Sequence, residues 1–182
     1  MNNISVYDTE QLITQNSIRY FFESNGEKSI IKAIDYSPID FKNGKTIYNL
    51  GFGDYDEQND TINDDINSNN GDHYIVLNTV LFSVPLFFAV YPNAVLFIGG
   101  SDSSSLFLAN CKISCNKKCD NSCKNHHRRI KVYRYFIDKN FESLSQSYVI
   151  FGRNKLKNNS FLPYIRYESY DDLLIYLKKS LP

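Results

Sequence analysis

The chain has 182 residues, with 20 Lys plus Arg balanced by 20 Asp plus Glu, so no net charge pulls it toward nucleic acid or a membrane surface. Hydrophobic content of 42%, with 13 Phe and 14 Tyr, supports a buried core and excludes a disordered chain. Length of this order suits one domain, read here as residues 18–182 after a flexible lead-in at 1–17, with a Cys-rich insertion at 106–127.

Taken in chain order, Met1 to Glu10 is polar and lacks the apolar segment of a secretory signal. A short helix is expected around Thr9 to Thr14. Arg19 to Ser24 and Lys28 to Tyr36 read as strands, and Asn25-Gly26 between them suits a two-residue type I′ loop. Pro38 is expected to end the second strand. Asn43-Gly44 returns the chain into Thr46 to Phe52, whose alternation sets Tyr48, Leu50 and Phe52 on one face. Gly51 and Gly53 flank Phe52, which points to a bulge or to another backbone packed close by. A fourth strand is expected near Thr61 to Asn67. The result is an antiparallel meander.

Ser68-Asn69-Asn70-Gly71-Asp72 is a turn whose last residue is expected to cap a helix starting at His73. That helix runs to Tyr91, with Val76, Val80, Val84, Phe87 and Phe88 at helical spacing and Pro85 as a kink or break. The run is interrupted by Asn78, Ser83 and Pro85, and it falls short of the roughly 20 apolar residues of a membrane span. A buried core helix is expected, in a cytoplasmic protein with no membrane partner. Ala94 to Ile98 is a continuous apolar strand. Gly99-Gly100-Ser101 opens a flexible turn, Arg128 to Asn140 a basic helix that groups Ile130, Tyr133 and Ile137, and Ser147 to Gly152 another strand. Tyr170 to Lys179 fits either a helix or an edge strand. The fold class is therefore α+β: a mostly antiparallel sheet built from an N-terminal meander, with a long core helix and a basic helix packed on one side.

Several of these segments together resemble an uncharacterised bacterial family known only as a domain of unknown function. They are Asn49-Leu50-Gly51-Phe52-Gly53-Asp54-Tyr55-Asp56, Ser68 to Asp72, Gly99-Gly100-Ser101, and Arg129-x-Lys131-Val132-Tyr133-Arg134. The resemblance runs from about Arg19 to the C-terminus. Members pass from the Gly-Ser turn directly into a helix of the form Arg-x-Arg-x-Tyr-Arg. Here Leu106 to His127 interrupts that junction, and Lys131 stands in place of Arg. The resemblance implies a fold grouping and no activity.

Candidate chemistry falls in two places. Successive N–H groups of a glycine turn beside a helix N-terminus can hold an anion, so Gly99, Gly100, Ser101, Arg129, Lys131 and Arg134 are candidate phosphate-binding residues, with a nucleotide or nucleic acid as the ligand. A solvated basic helix explains the same cations. Cys111, Cys115, Cys119 and Cys123, with His126 and His127, are candidate zinc ligands by donor type. Their four-residue step differs from the usual Cys-x-x-Cys, and ordinary surface thiols are the alternative. Asp54, Asp56, Glu57 and Asp60 imitate a calcium loop but lack its Gly and its distal Glu. Asp102 has no Asp-x-Asp partner for magnesium, and no Ser/His/Asp set can be assembled from three His. An enzyme is thus the weakest class. A phosphate-binding module is the first expectation. The alternative is a homodimer or protein-interaction partner of the kind found in toxin–antitoxin or defence pairs, with the acidic stretch Asp54 to Asp72 and the basic stretch Lys117 to Arg134 as contact faces.

Overall fold

The computed structural model describes residues 5–64, 70–100, 102, 105–114, 119 and 123–178. The chain divides into two compact units, residues 1–94 and 95–182. Among the described residues it is α+β, with nine strands and three helices, and every strand pairing within a unit is antiparallel.

The first unit carries β1 (Glu10–Ile13), β2 (Ile18–Asn25), β3 (Ser29–Lys42), β4 (Lys45–Asp56), β5 (Thr61–Asn63) and α1 (His73–Val90). The first four strands lie in chain order, and β5 folds back on β4. Alternation on β2 buries Ile18, Tyr20, Phe22 and Ser24, and the register sets Ile34, Tyr36 and Leu50 on the same face. Helix α1 lies against this face: Tyr36 stacks on Phe87 with ring centroids 4.5 Å apart, and Tyr36 Oη shares a 2.7 Å hydrogen bond with Ser83 Oγ. Lys32, only 4% exposed, is buried on the same side, where its ammonium pairs with Asp54 and lies over the Phe52 ring.

Local expectations meet several corrections here. The segment Thr9 to Thr14 contains strand β1 rather than a helix, because pairing with β2 gives its backbone groups partners that a four-residue helix could not. Residues ahead of it are tied down: Tyr7 stacks on Phe22 at 5.6 Å, and its backbone N–H donates to Thr79 Oγ1. The two-residue left-handed turn occurs at Asn43 (φ 53°) and Gly44 (φ 73°), between the paired Lys42 and Lys45. At Asn25-Gly26 the pairing of Asn25 with Ser29 leaves a three-residue loop instead. Pro38 does not end β3; the strand continues past it through a bulge, the position where a missing N–H is tolerated. Gly53 has the expected close backbone, since a Cβ there would lie 2.4 Å from the Asn63 carbonyl oxygen on β5. Pro85 sits on the exposed side of α1, which is one unbroken helix.

The second unit carries β6 (Val95–Gly99), α2 (Ser105–Ser114), α3 (Arg128–Ser147), β7 (Tyr148–Asn154), β8 (Asn158–Pro163) and β9 (Asp172–Leu177). Its strand order is β6-β9-β7-β8. The ambiguous C-terminal segment is thus an interior strand, neither helix nor edge, with Leu173 and Ile175 buried between two neighbours. Helix α3 buries Ile130, Tyr133 and Ile137 as their spacing predicts, and runs past Asn140 to Ser147 with non-helical torsions at Asn140. Strand β8 has no counterpart in the sequence reading.

Candidate functional site

The glycine turn ends β6, and the register sets Gly99 opposite Asp172 on β9, which in turn pairs with Arg153 on β7. One row across three strands therefore brings a backbone turn, a buried carboxylate and a guanidinium together. Asp172 accepts from Arg153 Nε at 2.9 Å and Nη2 at 2.6 Å, and pairs with Lys155 Nζ at 3.1 Å. Next to it, Asp171 Oδ2 accepts from the Lys155 backbone N–H, and Asp171 Oδ1 lies 3.5 Å from His127 Nδ1.

Asp102, 5% exposed, closes the turn onto α3. Its Oδ2 accepts from the Arg129 backbone N–H at 2.9 Å, and its carbonyl oxygen accepts from the His127 N–H at 3.3 Å. These are the donors that a helix N-terminus would otherwise offer to an anion. His127 adopts a left-handed φ of 56° at this junction, and burial, followed by the neighbouring His126, holds its proton affinity below the ordinary imidazole value. Among the described residues, Asp102 Oδ1 and His127 Nδ1 are buried without a hydrogen-bond partner.

Of the residues expected to bind phosphate, the glycine turn meets the start of α3 through Asp102, which takes the N–H groups of His127 and Arg129. Gly99 and Gly100 are half-buried, Gly99 beside Asp172, Ser101 lies outside the described residues, and the α3 N-terminus is occupied by Asp102. Arg129 and Arg134 are five positions apart on α3, which at 100° per residue turns them about 140° away from each other. Lys131 is exposed, and Arg134 Nε is buried with no hydrogen-bond partner among the described residues. The Asp102 carboxylate was the missed element: an Asp a few residues after a strand can cap a later helix, but spacing does not say which helix.

For the candidate metal ligands, Cys123 Sγ lies 3.5 Å from Cys111 Sγ, Asn125 Nδ2 is 3.5 Å from Cys111 Sγ, and the Lys124 backbone N–H donates to Cys119 Sγ at 3.4 Å. The Asn125 backbone N–H is the largest influence on Cys123, and the thiol loses its proton more readily than an ordinary cysteine. Cys115 lies outside the described residues. The His126 and His127 rings lie 3.6 Å apart by centroid, tilted 55° to one another, and His127 Nδ1 faces Asp171 at 3.5 Å. Among the described residues no group of three or more His, Cys, Asp or Glu is placed to hold a metal ion.

The acidic stretch is largely engaged within the first unit. Asp54 pairs with Lys32, Asp60 with Arg19 at 2.6 Å, and Asp56 accepts from the N–H groups of Gln58 and Asn59 in its own loop. Asp72 precedes α1 as expected, but its carboxylate makes no cap; Oδ2 accepts from Ser24 Oγ at 2.6 Å and Tyr7 Oη at 2.7 Å, while its carbonyl receives Ile75 and Val76 N–H.

Helix α1 has 18 residues and a mean hydropathy of 1.8, long and apolar enough to cross a bilayer by composition alone. One side is core: Val80, Val84, Phe87 and Phe88 are buried. The opposite side presents Tyr74 (70% exposed), Phe82 (61%), Leu86 (39%) and Val90 (40%), and no Asp, Glu, Lys or Arg occurs anywhere in the helix. A helix apolar all round is ordinarily covered on all sides.

Fold and site together define an α+β protein of mostly antiparallel strands, in which Asp102 caps α3 and Asp172 pairs with Arg153 and Lys155 beside the glycine turn. A family model described as a family of unknown function (DUF6934) matches residues 3–119, and the chain belongs to that family. The match covers β1 to β6, α1 and α2 and ends before α3, whereas the motif resemblance extends from Arg19 to the C-terminus. No curated protein and no solved structure matches the chain.

Proposed function

We propose that this protein works by association, as a homodimer formed through the outer side of α1. The observation that carries the reading is the exposure of Tyr74 and Phe82 on a helix with no charged residue. Two copies of such a surface meet without burying a charge, and an isologous contact needs only one self-complementary patch. Each aromatic side chain offers about 150–250 Å² when fully buried. With Leu86, Val90 and the exposed Pro85 and Ala89 the patch reaches roughly 400 Å², about half of the ~800 Å² each partner gives to a standard interface. Light scattering on the eluting protein tests this: wild type is expected as a dimer and the Phe82→Asp, Leu86→Asp double variant as a folded monomer. A wild type that stays monomeric at high concentration ends the proposal.

Binding of a phosphate-bearing ligand or nucleic acid is the second reading, favoured by Arg128 and Lys131, both exposed on α3. Filter retention of labelled RNA and DNA, lost in Arg128→Ala, Lys131→Ala, is its test; no retention by wild type removes it.

A further inference from the structure

We infer that Cys111 and Cys123 are a reversible thiol-oxidation site that closes into a disulfide by exchange with a small-molecule disulfide. Helix α2 carries Cys111 in its last turn, and Cys123 stands in the turn that leads into α3, so the two sulfurs arrive from separate segments and still meet at 3.5 Å. A disulfide needs about 2.0 Å, a movement of roughly 1.5 Å that side-chain rotation and a small backbone shift supply. Donors surround the sulfurs: Asn125 Nδ2 at Cys111 and the Lys124 N–H at Cys119. N–H donors stabilise negative sulfur, the nucleophile of exchange. All three described cysteines are half-buried rather than enclosed, so a small disulfide can reach them. The inference is independent of the α1 interface, since it rests on different residues in the other unit.

The chemistry closes in two steps. One thiolate, Cys123, attacks a sulfur of the external disulfide; a Cys123–S–S–R bond forms, the R–S–S–R bond breaks, and one RS⁻ leaves. The Cys111 thiolate then attacks the Cys123 sulfur, forming Cys111–S–S–Cys123 and releasing the second RS⁻. Two protein thiols are oxidised and one external disulfide is reduced to two thiols, each of which takes up one of the two protons lost.

The test treats the full chain, reduced and in chelator, with oxidised glutathione, followed by alkylation with N-ethylmaleimide and peptide mass mapping. A crosslinked peptide joining Cys111 to Cys123 is expected, with two of the four cysteines still alkylated and dithiothreitol restoring the others. Cys119→Ser should give the same product, and Cys111→Ser should instead retain glutathione on Cys123. The inference is overturned if all four cysteines remain alkylated in wild type, if the dominant bond joins another pair, or if Cys111→Ser still closes a bond at Cys123 at the wild-type rate.

Discussion

Asn70 occupies the space that a side chain on Gly26 would need: a Cβ at Gly26 would lie 1.6 Å from the Asn70 carbonyl oxygen. The 5%-exposed Asn70 fills the β2–β3 loop, donating through Nδ2 to Ser24 O (3.1 Å) and Lys28 O (2.8 Å) and accepting at Oδ1 from Lys28 N–H (2.8 Å). The Asn70 carbonyl oxygen accepts from Glu27 N–H as well. Two motifs far apart in sequence are thus one latch.

Because the obstacle at Gly26 is backbone, Gly26→Ala cannot be relieved by a rotamer change. A loss of about 2–3 kcal/mol is expected in denaturant unfolding, the upper part of the range for overpacked sites. A variant within about 0.5 kcal/mol of wild type would show that the loop gives way freely.

Asn70→Ala removes the side-chain partners of buried backbone groups on both sides of the loop, so it should cost about 1–3 kcal/mol. Amide exchange at Lys28 should accelerate alongside. Unchanged exchange there would contradict the latch.

Lys32 and Asp54 form an ion pair on the core face of the first unit. Asp54→Asn removes one counter-charge from the buried Lys32 ammonium and should destabilise by up to about 3–5 kcal/mol, whereas Lys32→Met strands only the Asp54 carboxylate, 19% exposed and still within reach of water, and should cost less. Thermal melts of the two variants should therefore differ in rank, and equal losses would argue against a buried pair.

Asp72 supplies a pH dependence. Burial by itself would raise the affinity of its carboxylate for a proton, but hydrogen bonds from Ser24 and Tyr7 outweigh it and hold the group below the usual carboxylate value. A depressed folded value contributes stability above the unfolded value, and that contribution disappears as pH falls through the folded one. Stability should accordingly drop on acidification below the ordinary carboxylate range, and Asp72→Asn should flatten that part of the curve. Parallel curves for variant and wild type would rule the linkage out.

Asp102→Ala removes the acceptor at the start of α3 and should cost about 1 kcal/mol, while Asp102→Asn keeps an acceptor and should cost less. Chemical unfolding monitored by helix content checks the order of the two.

What could be read from the sequence is what is determined over a few residues. Asn43-Gly44 makes its turn because both residues tolerate positive φ, the alternation in β2 and β4 sorts side chains to two faces, and α1 starts at His73 and groups Val76, Val80, Val84 and Phe87 because the helical repeat does. The spacing of Ile130, Tyr133 and Ile137 is of the same kind. Tertiary structure alone decided the remainder. Asp171-Asp172-Leu173-Leu174 has helical and extended solutions of similar local merit, and strand β9 prevails because two neighbours satisfy its backbone on both sides. The Asn25-Gly26 loop widens because Asn70 enters it, the Asp72 carboxylate turns to Ser24 and Tyr7, and Asp102 caps a helix that begins after a long intervening segment. In each case the deciding partner lies far away along the chain, and a hydrogen bond or contact across such a separation leaves no periodicity in the sequence.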